Sequence, residues 1–378
     1  MTTLKAVIGA NLGDEGKGKM TDYFTFKSQK PCLVVCSNGG AQRGHTVVTP
    51  FKTHIFHHFG SGTLAGADTY LPAQYIINPI IFMKEYRELS DDRFITVWVN
   101  ENCLCSTPYD MMANQIIEES RGNNKHGSCG VGIWETMLRN EATIGELIRM
   151  PDDRLRYYLK GVRDAYFANR FKNKKIDISK EWGAVYYSDA LIEHYISDFK
   201  EMVSHIRFAK DSIFKNYETV IFENGQGLML DQNIANPQYS TPSNTGSQNI
   251  KEMVDSVFDD YEIELCYVTR TYLTRHGNGE LARECNRSHF DIDISTETNI
   301  WNKNQGAFRY GLLNMHDLIK RIDEDYNKYW ANSKATKSLA VTHIDECEVD
   351  SVLLDSVFDK TYYSYGAKRE EIFDKCGG

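Results

Sequence analysis

Seven residues near the N-terminus, Gly13-Asp14-Glu15-Gly16-Lys17-Gly18-Lys19, crowd glycines, carboxylates and lysines together. Glycines expose backbone N–H groups and let an anion approach closely. Lys17 is long enough to set its ammonium between the β- and γ-phosphates of a triphosphate. A carboxylate beside phosphates is repulsive unless it holds Mg2+ or takes a proton. Asp14 therefore reads as a candidate metal ligand and general base. The run is tighter than G-x-x-x-x-G-K-[ST], so it is not a Walker loop. The competing reading is a glycine-rich turn capped by Asp14. The position of the run, after a buried strand and before a helix, favours phosphate chemistry.

The elements that would position this loop are legible. Residues 6–10 read as a short buried strand and 20–26 as a helix body. Strand, glycine loop and helix open a parallel α/β sheet. Further strands are expected at 33–36, 94–99, Thr219–Glu223, 263–269 and 338–342. The last three each run into a polar or Gly-containing segment, as at the C-terminal edge of an open sheet. Helices are expected at Pro79–Ser90, 108–121, 189–209, 249–259 and 316–329. Asn78 caps the first of these and Pro79 suits its first position. The charged stretch 152–182 reads as a peripheral helical insertion. No repeat or linker divides the chain, so residues 1–378 are expected to form one large α/β domain with a mostly parallel central sheet.

The chain is 41% hydrophobic and 25% charged, ordinary for a globular enzyme. Its net charge of −9, from 43 basic and 52 acidic residues, argues against a duplex-binding surface. The nine cysteines lack a disulfide framework or a paired C-x-x-C zinc signature. Reduced thiols in a cytoplasm are expected. Residues 1–5 are too short for a signal peptide, and no apolar run reaches the ~20 residues of a membrane span.

Two segments together carry a resemblance. The first loop is followed by a second strand and by Gly39-Gly40-Ala41-Gln42-Arg43-Gly44-His45-Thr46. G-D-E-G-K-G-K followed by G-G-x-x-x-G-H-T resembles the opening of adenylosuccinate synthetases. That family joins aspartate to C6 of inosine monophosphate, using GTP and Mg2+. The resemblance implies that Asp14 removes the proton from purine N1, so that O6 attacks the γ-phosphate. It implies that His45 donates to the transferring phosphoryl, and that Lys17 and the Gly44 carbonyl serve the triphosphate and metal. A base, an acid, a cation and a metal are what phosphoryl transfer to a weak oxygen nucleophile requires.

Later segments extend the likeness. Phe222-Glu223-Asn224-Gly225-Gln226-Gly227 resembles F-E-G-A-Q-G, in which Gln226 would orient the purine. Ser240-Thr241-Pro242-Ser243-Asn244-Thr245 resembles T-S-S-N-T, with Thr241 on the nucleotide phosphate. Tyr272-Leu273-Thr274-Arg275 resembles Y-T-T-R. Ser128 and Cys129 replace two threonines of a phosphate loop; a thiol is the weaker donor. Arg139 lies where the family places an arginine that reaches across a homodimer. Thr342-His343-Ile344-Asp345 resembles T-K-L-D, where Asp345 would read guanine, and Ser364-Tyr365-Gly366 resembles the final S-T-G turn. The implied triphosphate set is Gly13, Glu15, Gly16, Lys17, Gly18, Lys19, Gly44, His45, Thr46, Thr342, Asp345, Ser364 and Gly366. Asp14 and Gly44 would hold Mg2+. Nucleotide and amino acid would fall to Asn38, Gln42, Ser128, Cys129, Arg139, Asn224, Gln226, Thr241, Arg275 and Arg309.

Departures are concentrated at the amino-acid end. The family's T-T-G-R-R-R-R stands here as residues 302–311, and only Arg309 matches clearly. One arginine holds one carboxylate bidentately, not two; Arg275, His276 or Lys303 would have to supply the second cation. The family's asparagine and alanine in the second loop become Gln42 and Arg43. His343 replaces the lysine, which leaves GTP or ATP open as donor. Phage synthetases acting on dGMP also have short chains and a reduced arginine loop, but are expected to carry serine in place of Asp14. The sequence thus supports a ligase acting on an inosine-type monophosphate. The alternatives are the same chemistry on GMP or dGMP, and a non-catalytic nucleotide-binding regulator.

Overall fold

The computed structural model describes residues 2–90, 94–122, 125–233, 239–292, 301–302 and 306–376. Ten strands form one sheet: β1 (Thr3–Gly9), β2 (Cys32–Cys36), β3 (Asp68–Leu71), β4 (Val97–Val99), β5 (Ile206–Phe208), β6 (Thr219–Glu223), β7 (Ile263–Arg270), β8 (Ala335–Thr342), β9 (Lys360–Ser364) and β10 (Ile372–Cys376). Their spatial order is β5-β4-β3-β2-β6-β1-β7-β8-β9-β10. All neighbours are parallel except β9 and β10.

The central strand β1 reads as an unbroken apolar run because both its faces are covered. Leu4, Ala6 and Ile8 pack with helices Gln248–Val257 and Met315–Trp330. Val7 faces the opposite way, onto Met20, Tyr23 and Phe24 of α1 (Lys17–Ser28), as the two-residue period of a strand requires. A further apolar cluster joins helices Pro79–Ser90, Pro108–Ser120 and Asp189–His205 to the insertion that follows residue 151.

β1 lies between β6 and β7, with Val7 level with Glu223 and Cys266. β1, β2, β6, β7 and β8 run parallel, so the loops after them share one edge, and the chain crosses from one side of β1 to the other there. Such a crevice is where open α/β sheets bind ligands.

The structure shifts several expected boundaries. α1 begins at Lys17 rather than at 20, which puts Lys17, Gly18 and Lys19 in its first turn. The helix expected to run to 209 stops at His205, and Ile206–Phe208 becomes the edge strand. The strand expected from 94 shortens to Val97–Val99. The 152–182 insertion is helical, as Asp152–Gly161, a π-helical turn Val162–Phe167, Ala168–Lys174 and Lys180–Tyr186. Among the described residues no helix is long and apolar enough to cross a membrane.

Candidate active site

The loop between β1 and α1 is held by groups from three other elements and by a bond of its own. Gly13, Asp14 and Gly16 all have positive φ, of 91°, 56° and 91°. Glycine adopts this region at no steric cost; Asp14 does not. Arg270, at the end of β7, donates from Nε to the Asp14 carbonyl at 2.5 Å. Thr342 Oγ1, at the end of β8, donates to the Glu15 carbonyl at 3.0 Å. Arg321 donates to Ala10 O at 2.8 Å and to Asn11 Oδ1 at 2.5 Å. The Glu15 carboxylate accepts the Asn11 N–H.

Gly16 caps α1 with no side-chain hydrogen bond, so the helix N-terminus offers backbone donors to an anion. Lys17 is 2% exposed, and its Nζ lies 3.5 Å from Glu15 Oε2. Burial raises the Glu15 carboxyl above its ordinary range against the pull of Lys17. Gly9 leaves no room beneath this group: a Cβ there would lie 2.3 Å from Gln226 O and from Glu15 Oε2, and 2.8 Å from Lys17 Nζ.

Gln226 follows β6 with φ 63°, and Gly13 comes within 3.6 Å of its Cα, measured from a built Cβ. Asn38, at the end of β2, is fully buried. It accepts Gly225 N–H at 2.7 Å and donates to Ser243 Oγ at 3.2 Å. Asn224 donates to the carbonyls of Thr245 and Gly246 at 2.9 and 2.8 Å. The side-chain oxygens of Gln42, Asn224 and Gln226 are buried without a hydrogen-bond partner among the described residues, as is Glu15 Oε2. Buried polar atoms are nearly always satisfied, so these acceptors fit a ligand that brings donors. Thr241 is buried beside this set, its N–H on Leu230 O at 2.8 Å.

His45 opens the short strand His45–Val48, which also carries the half-buried Thr46. A Cβ on Gly18 would meet His45 Cβ at 3.0 Å, so the second loop packs on the first turn of α1. His45 Nδ1 lies 2.8 Å from Glu223 Oε1. Burial pulls the imidazole down to about 4. Burial would raise the Glu223 carboxyl, but Arg43 and His45 outweigh it and hold it well below the usual range. Neither this glutamate nor the arginines at 270 and 321 is assigned a role by the motifs. Glu223 and Arg270 end apolar strands at the ligand edge, which is a signal of place; Arg321 lies inside a helix and gives none.

The remaining predicted residues lie farther round the edge. Lys19 donates to Ser364 Oγ at 2.5 Å and Gly366 O at 2.7 Å, and burial lowers its ammonium to about 8. Asp345 is exposed nearby, and Gly44 is exposed on the second loop. Ser128 exchanges hydrogen bonds with Asn114 at 2.9 and 3.3 Å, and burial raises the adjacent Cys129 thiol. This loop touches the one after Arg275, where a Cβ on Gly127 would lie 2.8 Å from Gly277 Cα. Arg275 donates to Asn278 O and Glu280 O at 3.0 and 3.2 Å. Arg309 is paired bidentately with Glu284, at 2.8 and 2.5 Å. Lys303 lies outside the described residues. Arg139 departs from expectation. Its guanidinium is fully buried against Asp110 at 2.8 and 3.1 Å, with further bonds to Cys105 O, Glu141 O and Tyr158 OH. All its donors are spent inside its own chain, so it does not extend toward a second subunit.

The site fits the groups that the family motifs imply. An uncapped helix N-terminus with a buried lysine suits a polyphosphate. The Asp14 carboxylate and the Gly44 carbonyl are oxygen ligands of the kind Mg2+ takes. Among the described residues no cluster of three or more His, Cys, Asp or Glu could hold a metal unaided.

Comparisons with known proteins agree with this architecture. The chain is 29% identical to the adenylosuccinate synthetase of Lactobacillus acidophilus over 295 residues, 75% of this chain and 65% of that protein. It is 30% identical to that of Prochlorococcus marinus over 289 residues, 74% and 63%. The match thus spans somewhat under two thirds of these relatives' length. Among solved structures, a succinoaminodeoxyadenylate synthetase of cyanophage S-2L, bound to dGMP and to dATP as an energy donor, superposes with a TM-score of 0.66 at 14% identity. It covers 99% of this chain and 95% of that one. The fully ligated adenylosuccinate synthetase of Plasmodium falciparum gives 0.69 at 16% identity, covering 99% and 88%. The sequence model of the adenylosuccinate synthetase family matches residues 6–345, and the chain belongs to that family.

Proposed function

We propose that the protein is a carbon–nitrogen ligase that phosphorylates O6 of an inosine-type monophosphate and then couples L-aspartate at C6. What supports this reading is that the loops carrying Asp14, Lys17, His45 and Gln226 pack together beyond β1, through the close approach of Gly13 to Gln226 and of Gly18 to His45. In this scheme the Asp14 carboxylate takes the N1 proton of the purine. O6 then attacks the γ-phosphorus of GTP or ATP, and the bond to the β,γ-bridging oxygen breaks. Lys17 and the α1 N-terminus stabilise charge on the transferring group. His45, protonated once the triphosphate's negative charge lies beside it, would donate to it from Nε2 while its Nδ1–H stays on Glu223. Mg2+, when bound, neutralises charge on the donor phosphates. The amine of aspartate finally attacks C6, forming the C–N bond and expelling inorganic phosphate. Gln42, Asn224 and Gln226 supply acceptors around the nucleotide. Arg309 would hold one aspartate carboxylate after exchanging it for Glu284. A cytoplasmic homodimer is the expected setting.

The same chemistry on dGMP or GMP is the second reading. It is favoured by the likeness over nearly the whole chain to a phage protein bound to dGMP, and by the reduced arginine cluster. The test is a matrix of IMP, GMP and dGMP against GTP and ATP, with Mg2+ and aspartate, read by phosphate release and ultraviolet absorbance. Turnover of IMP supports the first reading. Turnover of dGMP alone replaces it with the second, and nucleotide binding without turnover of any acceptor leaves a regulator.

A further inference from the structure

Where the family carries a small alanine beside the histidine loop, this chain has Arg43. Its side chain is buried and donates from one terminal nitrogen to Glu223 Oε2 at 2.5 Å. Ser61 donates its N–H to the same oxygen at 3.1 Å and its hydroxyl to Glu223 Oε1. Oε1 also meets His45 Nδ1 at 2.8 Å. A carboxylate has about four acceptor positions, and these contacts fill them. An ionised carboxylate only accepts, so the 2.8 Å contact requires the proton on Nδ1. The same Arg43 nitrogen stands 3.2 Å from Nδ1, but its shorter bond goes to Glu223.

We propose that Arg43 is a positioning residue for His45, acting through Glu223. Arg43 and Ser61 fix both carboxylate oxygens, the carboxylate fixes the Nδ1 proton and ring plane, and Nε2 is thereby presented to the transferring group. An orienting partner behind a functional histidine sets which ring nitrogen acts; removing the equivalent partner of a metal-bound histidine costs about 10–100-fold. The inference rests on the ligase reading only for what His45 does with Nε2.

The test uses the full chain with 15N-labelled histidine, the His45 signal being assigned by its loss in His45→Asn. The native protein shows the proton on Nδ1. In Arg43→Ala the ring loses that single state, and kcat falls roughly tenfold or more, with nucleotide KM within about twofold. Arg43→Lys restores part of both. In Glu223→Gln the amide oxygen stays with Arg43, its NH2 faces His45, and the proton moves to Nε2. The double variant Arg43→Ala/Glu223→Gln leaves no lone charge in the core and serves if Arg43→Ala does not fold. It should lose no more activity than Glu223→Gln alone. An unchanged His45 signal in Arg43→Ala, or losses that multiply in the double variant, overturns the proposal. The spectra need no turnover, so they decide the role of Arg43 even if every nucleotide fails as substrate.

Discussion

Gly9→Ala is the smallest change that should disable the site while sparing the sheet. The added Cβ would stand 2.3 Å from Gln226 O, 2.3 Å from Glu15 Oε2 and 2.8 Å from Lys17 Nζ, whereas ordinary contact begins near 3.4 Å. One neighbour is a backbone carbonyl and the others are buried, so the loop or Gln226 must retreat by about 1 Å. Overpacking of this kind costs about 1–3 kcal/mol of stability, which a domain of this size survives. Its effect on chemistry is larger, since a 1 Å misplacement of positioned groups costs about 100-fold. Gly66→Ala is the control. That residue has φ +95° and nothing within 4 Å of a built Cβ, so it carries about 1 kcal/mol of backbone strain and no contact with the site. The assay is kcat/KM for phosphate release alongside urea denaturation of all three proteins. Gly9→Ala should lose about 100-fold in activity and Gly66→Ala almost none, at comparable losses of stability. Activity of Gly9→Ala within threefold of native would refute the placement of Lys17, Glu15 and Gln226 around one reacting group.

Arg309→Ala should raise the KM for the amino acid by about tenfold to a hundredfold, the worth of a charge-assisted hydrogen bond. It should leave the melting temperature nearly unchanged, because its pair with Glu284 is 31% and 45% exposed and such pairs contribute little. Chelation of Mg2+ should abolish turnover, because the charge of the donor phosphates is then no longer offset by the metal, and re-addition of Mg2+ should restore it. For pH, burial pulls His45 from 6.5 to about 4 in the folded state. The unfolded chain therefore binds the proton first. This contribution to stability is complete above pH 6.5 and is lost as pH falls toward 4, by roughly 2 kcal/mol between pH 7.5 and 5. Urea titrations at the two pH values should show the loss, and His45→Asn should shrink it.

The strands and helices with clear periods were legible because both sheet faces are covered. β1, β2, β6, β7 and β8 are apolar enough to read directly, and helix Pro79–Ser90 carries its own start signal. β3 and β9 were hidden by polar residues such as Asp68, Thr361 and Ser364, which end strands or bond to neighbours rather than alternate. The start of α1 was read late because Lys17-Gly18-Lys19 looks like loop. Its lysines are buried by β9 and the second loop, a tertiary effect that local pattern does not carry. The site motifs placed Asp14, His45 and Gln226 near one another, since each follows a strand of the same sheet. Arg43 was visible only as a departure. Its meaning depends on Glu223, 180 residues away, and nothing in sequence spacing joins them. Arg139 misled because the motif gives a position in the chain, whereas the Asp110 carboxylate decides where the guanidinium goes.

The central claim is that Asp14 is a base for a purine N1 proton and not merely part of a phosphate cradle. Asp14→Asn keeps the size and hydrogen-bonding capacity of the side chain and removes its basicity. Its backbone carbonyl, which Arg270 holds, is untouched. Binding of IMP and of the triphosphate by calorimetry, measured beside single-turnover phosphate release, separates the two roles. The account predicts nucleotide Kd values within a few-fold of native and phosphate release slowed by about 100–10,000-fold, the worth of a positioned base. Release at the native rate, or loss of nucleotide binding in step with activity, would contradict it.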